Sequence, residues 1–247
     1  MPSSTPRPSL WQFANPTRFL ALTDRLMTPL WVLATLALVI GLGWGLLFTP
    51  PAELHGPGVK MLFVHVPTAL IAINCWLVML VGSAIWYIRR HHVSALIARS
   101  AAPIGAVMTF LALLTGAVWG QPAWGAWWVW GDPRLTSFLI LFLFYLSYLA
   151  LVNAMESSEL ADDLAAALCL IGSVFALLSR YANWFWEQGQ HQGSSLSLDR
   201  SENVANAYWL PLVLTMAGFV LYFLALTLTR TRTAILTRRL RAMEDRA

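Results

Sequence analysis

Six apolar runs alternate with polar segments along the chain, at about residues 29–49, 61–88, 96–118, 135–154, 164–180 and 208–229. Each is close to the roughly 20 residues that a helix needs to cross a bilayer core. The pattern therefore predicts an all-α integral membrane protein with six transmembrane helices, and an even number puts both termini on one side. The second run is longer than a span requires, so it tilts or projects beyond the hydrocarbon. Residues 1–28 are polar and mixed, with Pro2, Pro6 and Pro8, and lack the charged, apolar and small-residue order of a cleaved signal peptide. The first span is accordingly expected to be a retained anchor. Asn15 followed by Pro16 makes an N-cap and N1 pair, and with Phe19, Leu20, Leu26 and Met27 it predicts a short helix on the inner surface. No internal repeat stands out, so residues 1–247 are read as a single domain: an N-terminal segment 1–28, the spans, a Trp-rich outer segment 119–134 and a basic tail 230–247.

Composition strengthens this picture. The chain is 58% hydrophobic and 11% charged, against about 25% charged in soluble domains. Cys75 and Cys169 each lie inside an apolar run, where a thiol behaves as a small buried hydrophobe. No CxxCH occurs, so the chain does not itself attach haem covalently. The net charge of +4 does not point to nucleic acid, because the basic residues flank the spans and fill the tail. Counting Lys and Arg in alternate segments gives twelve on the side of the termini, from Arg7 to Arg246, against Lys60, Arg134, Arg180 and Arg200 on the other. The positive-inside rule then places both termini in the cytoplasm. The acidic stretch Glu156 to Asp163 falls on the inner side, where carboxylates count little.

Between the third and fourth runs lies WGQPAWGAWWVWGDPRLTS, which sets Trp119, Trp124, Trp127, Trp128 and Trp130 within a dozen residues and then supplies Asp132 and Arg134. An aromatic belt at the headgroup level is one account of such residues. Gly120, Gly125 and Gly131, with Pro122 and Pro133, favour another, since they interrupt a regular helix. The rings are then displayed from a loop or short broken helices as a flat platform for a large planar ligand. A third outer segment, from about Tyr181 to Ala207, carries Trp184, Phe185, Trp186 and Glu187, then His191, and long loops of this kind are usually functional or disordered.

His65 lies in MLFVHVP, about five residues into the second run, so it sits near the outer interface. Intramembrane ionisable groups are functional candidates, and nearby Pro67 suggests a local irregularity. Alone, His191 reads as a solvated loop residue. Together, two outer histidines flanking a Trp platform match a six-coordinate haem iron, which needs two neutral nitrogen ligands and aromatic walls. Arg134, Lys60 or Arg180 could pair with the haem propionates. His55 sits in a Gly and Pro loop, while His91 and His92 belong to a polar helix cap, so none of the three joins the site.

The assembled residues resemble the cytochrome c maturation protein C family, haem-handling membrane proteins bearing the Trp-rich signature called the WWD domain. WGAWWVWGDPRLTS is similar to the family's WGTWWVWDARLTS, and MLFVHVP, APIGAVMTF and the late HQGS fall in the family's order. The likeness covers nearly the whole chain and is weakest at the termini. Gly131 departs from it as an extra residue before the acidic position, and Pro133 follows. The resemblance implies that His65 and His191 are the axial ligands of non-covalent haem b. It implies further that Trp119, Trp124, Trp127, Trp128, Trp130 and Asp132 form the haem-holding surface on the periplasmic side of the bacterial inner membrane. It also implies the partners: a periplasmic haem chaperone (maturation protein E), ATP-binding and membrane subunits of an ABC-type complex (proteins A and B), and a small single-span protein D. This chain has no G-x-x-x-x-G-K-[ST] loop, so ATP hydrolysis would belong to a partner, and the chain is not expected to be an enzyme. A transporter of another small molecule would show polar or broken helices at the bilayer centre, where Asn74 is the main candidate. A b-type redox cytochrome would need His pairs on facing helices, and only His65 lies in a span.

Overall fold

The computed structural model describes residues 15–53, 56–155, 159–185 and 205–246, with backbone alone at 183–185. Six long helices make up the fold: α1 (Pro16–Gly43), α2 (Leu62–Arg89), α3 (His92–Trp124), α4 (Pro133–Ala154), α5 (Glu159–Phe185) and α6 (Asn206–Glu244). All six are long and apolar enough to cross a membrane. A π-helical turn, Trp44–Phe48, continues α1, and a 3₁₀ turn, Pro57–Met61, leads into α2. Arg239 donates to the Thr17 hydroxyl at 2.7 Å, so the first and last helices share one end of the bundle, called basal here. The Trp-rich turn between α3 and α4 lies at the other, distal end.

Helices α1, α3, α5 and α6 each reach several residues beyond the apolar runs. The expected short surface helix after Asn15 is instead the first part of one unbroken α1, capped as anticipated, with Asn15 Oδ1 accepting from the Thr17 N–H at 2.9 Å. It continues because α6 extends beside it: Phe19 packs with Val93, Leu96 and Ile235, and Arg232 reaches the Leu20 carbonyl, the Thr23 hydroxyl and Asp24. Between α1 and α6 the backbones approach at Gly41 and Gly218. A Cβ at Gly41 would stand 2.7 Å from the Thr215 nitrogen, and one at Gly218 would stand 2.8 Å from that of Leu38. Small residues at such crossings drive helix association in lipid, where burial of apolar surface contributes little.

The centre of the bundle is aromatic. Trp76 is fully buried and donates to Ser173 Oγ at 3.1 Å. Tyr145 meets its ring edge-on at 4.7 Å and donates to the Ala72 carbonyl at 2.7 Å. Cys75 and Cys169 are buried free thiols in the same core, as their apolar surroundings suggested. Outward faces carry exposed Val39, Ile88 and Val174, the arrangement of a protein solvated by lipid.

The basal end explains the acidic stretch that ran against the charge pattern. Asp162 pairs with Arg99 at 2.6 Å, with both side chains largely buried, and Asp163 pairs with Arg90 while accepting from the Trp86 indole at 2.8 Å. His91 caps α3, its Nδ1 accepting from the Ser94 N–H at 3.0 Å. Removing one partner of a buried pair strands the other charge, so Asp162→Ala is expected to cost about 3 kcal/mol. Arg90→Gln, at an exposed pair, should cost less than about 1 kcal/mol. Thermal unfolding of the two variants in detergent measures the difference, and equal midpoints would contradict it.

Candidate functional site

Three helix ends and one turn build the distal face described below. His65 lies in the first turn of α2, about 5 Å along the axis from Leu62. Pro67 follows within α2 without breaking it, although its missing N–H leaves the Phe63 carbonyl without a helical donor. Half-buried His65 turns its ring toward α3, where Nδ1 lies 3.0 Å from the Thr115 hydroxyl. Gly116 makes room for this ring, since a Cβ there would stand 3.1 Å from His65 Cε1.

Trp119 is four residues beyond Thr115, and residues at that spacing share a helix face. It belongs to the same seam, its ring lying 3.6 Å from where a Cβ on Gly58 would be. The α3 helix was expected to stop near residue 118 but runs through Gly120 and Pro122 to Trp124. So close to a C-terminus, Pro122 removes only one hydrogen bond, to the carbonyl of Val118. Gly120 serves a close approach: a Cβ there would sit 2.9 Å from the Ala126 carbonyl, where the chain folds back. The helix ends at Gly125 in the left-handed region (φ 75°), whose N–H bonds to the Gln121 carbonyl at 2.9 Å. Trp119 and Trp124 are therefore mounted on helix, and only Trp127, Trp128 and Trp130 stand in the turn.

The turn presents two kinds of ring. Trp127 and Trp130 are 62% and 74% exposed, a large apolar area left uncovered by this chain. Trp128 is half-buried and meets Trp130 at 5.8 Å with 65° between planes. That edge-on geometry suits the ring quadrupoles, and it means that these two indoles do not form the flat platform expected from their density.

Asp132 is the N-cap of α4. It is 1% exposed, and its Oδ1 accepts from the N–H groups of Arg134 at 2.8 Å and Leu135 at 3.0 Å, with Pro133 at the first helical position. A Cβ added at the extra Gly131 would meet nothing within 4 Å, so the turn has room at this position. Asp132 thereby fixes the backbone of Arg134, whose guanidinium feels the charges of Asp132 and Arg180. Two buried donors on this face, Trp128 Nε1 and Arg134 Nε, have no acceptor among the described residues. An unsatisfied buried donor costs about 1–3 kcal/mol, and an oxygen acceptor, a carboxylate among them, would relieve it. Lys60 is otherwise engaged, donating to the Leu46 carbonyl at 2.7 Å. His191 and His55 lie outside the described residues.

Thr115 was missed in the sequence because a single Thr in an apolar span resembles any helical Thr. Its spacing to Trp119 was the available signal.

Comparison of the sequence with known proteins extends over all of the described residues. The family model described as Heme exporter protein C matches residues 9–246. The chain belongs to the heme exporter protein C family. It is 60% identical over 240 residues to the heme exporter protein C of Rhodobacter capsulatus, covering 96% of this chain and 98% of that one. It is likewise 60% identical over 244 residues to the Paracoccus denitrificans protein of that name (97% and 100% covered). Against the Escherichia coli K12 protein of that name, identity is 35% over 228 residues (92% and 91% covered). The matched region includes the α2–α3 seam and the Trp-rich turn.

If Asp132 acts as a cap, Asp132→Ala should lower stability by about 1 kcal/mol while Asp132→Asn, which keeps an accepting oxygen, changes it by only a few tenths. Thermal midpoints in detergent distinguish them, and equal losses in both variants would mean that the charge matters more than the cap.

Proposed function

We propose that this chain binds haem b without a covalent bond at the periplasmic face of the bacterial inner membrane and hands it to a periplasmic haem chaperone for c-type cytochrome assembly. Both termini then lie in the cytoplasm. ATP hydrolysis falls to the ATP-binding subunit of an ABC-type complex that also holds a membrane subunit and a small single-span protein. The chain itself is a binding and delivery subunit, with haem as its cargo.

The observation that carries this reading is the pair of buried donors, Trp128 Nε1 in the turn that exposes Trp127 and Trp130 and Arg134 Nε at the start of α4, which have no acceptor among the described residues. N–H donors beside uncovered indole suit a ligand that is aromatic over most of its area and carboxylate at one edge, as haem is. Trp127 and Trp130 would cover the porphyrin, with helix-mounted Trp119 and Trp124 behind them. Trp128, Arg134 and neighbouring Arg180 would receive the propionates, and Asp132 would act through the Arg134 backbone that it caps. His65 would supply one axial nitrogen from α2, and His191 the other from the segment before α6. Release then requires a partner to weaken one of these ligands. The competing reading, a transporter with a polar midplane site, finds little support at Asn74, whose amide donates to the Leu70 carbonyl of its own helix at 2.8 Å.

Titration of the purified protein with haem and with haem dimethyl ester tests the carboxylate contacts. Wild type should bind the ester about tenfold more weakly, as expected for losing hydrogen bonds to a charged group, and Arg134→Gln should narrow that gap. Equal binding of the two ligands by wild type would reject the propionate assignment. In cells that also express the chaperone, covalent haem on the chaperone should require this chain, and its appearance without the chain would reject delivery.

A further inference from the structure

The geometry points to Thr115 as the residue that sets the tautomer and aim of His65, making Nε2 the nitrogen offered to iron; this inference rests on His65 being an axial ligand. Thr115 has one hydroxyl proton, and its oxygen lies 2.7 Å from the Leu111 carbonyl and 3.0 Å from His65 Nδ1. The shorter contact takes the proton. Other helical threonines of this chain behave the same way, Thr68, Thr109, Thr215 and Thr231 each donating to the carbonyl four residues earlier. With its proton committed to α3, the Thr115 oxygen is left as an acceptor. It must then receive a proton from His65, which therefore carries its hydrogen on Nδ1.

A neutral imidazole protonated on Nδ1 bears its lone pair on Nε2. A metal-bound histidine usually donates its other ring N–H in this way, and the bond fixes the ring and raises its basicity. One further feature accommodates the ring: Gly116 lets Cε1 lie against α3. Thr115 is a positioning residue, since it acts through the imidazole that it meets. Because it sits on α3 one turn from Trp119, it ties the aim of the iron ligand to the helix that carries the first tryptophans. A shift of α3 against α2 would loosen ligand and aromatic wall together.

The test compares Thr115→Val, which keeps the shape without the hydroxyl, with Thr115→Ser, which restores it. In haem-free protein labelled with ¹⁵N-histidine, the His65 signals, assigned by their loss in His65→Ala, should show Nδ1–H in wild type and Thr115→Ser and a shift toward Nε2–H in Thr115→Val. In haem-loaded protein, Thr115→Val should lose haem about tenfold faster and show a raised reduction potential, because a less basic imidazole favours ferric iron less. Thr115→Ser should match wild type in both. Unchanged ¹⁵N signals and unchanged potential in Thr115→Val would overturn the inference. A His65→Ala variant with an unaltered haem spectrum would instead overturn the axial reading beneath it, a result readable without any Thr115 variant.

Discussion

Hydrocarbon offers polar groups no water, so each one in a membrane bundle has to find its partner inside the protein. That constraint orders this chain from the basal end to the distal one. Helical threonines return their hydroxyl protons to carbonyls four residues earlier, and the Trp76 indole bonds to Ser173. Asp162 and Asp163 are each matched by an arginine. Against this background the unpartnered donors of Trp128 and Arg134 stand out. Arg99 Nη2 and Thr227 Oγ1 are likewise unpaired among the described residues, but Arg99 is already held through Nε by Asp162. The distal pair lies where two large indoles are left uncovered.

The number and order of helices were legible because a span must be both long and apolar, and six runs meet that requirement. Their ends were not. The basal part of α1 and the last turns of α6 are mixed in polarity, so an apolar run stops before they do. They are helical because they pack on each other, through contacts such as Arg232 to Thr23, which lie 209 positions apart. The distal end of α3 was misjudged for a different reason. Gly120 and Pro122 signal a break, yet near a helix end neither is costly, and Gly120 is required by the approach of the Ala126 carbonyl.

The candidate site was legible by residue type more than by geometry. The tryptophans and His65 announced themselves, and the structure brings Trp119 and His65 to one seam between α2 and α3. It also separates roles that the sequence had merged: Asp132 is buried as a cap, while Arg134, whose backbone it holds, has a buried donor with no acceptor among the described residues. The order Asp, Pro, Arg is itself an N-cap signature, and it was read as ligand chemistry because it follows the tryptophans. For Thr115 the spacing to Trp119 was a weak signal, since its part depends on which residue of α2 faces it.

These features describe a distal face in which α2 sets one imidazole against α3, a short turn displays indole and the start of α4 carries a guanidinium. Holding a large cofactor loosely enough to pass it on fits such a division, with firm positioning in the bundle and exposed contacts in the turn. The most direct measurement is the absorption spectrum of haem bound to the purified protein, oxidised and reduced, in wild type, His65→Ala and His191→Ala. A low-spin six-coordinate spectrum in wild type that turns high-spin or fades in each variant is the expected result. An unchanged spectrum in both variants would contradict the assignment of the iron ligands.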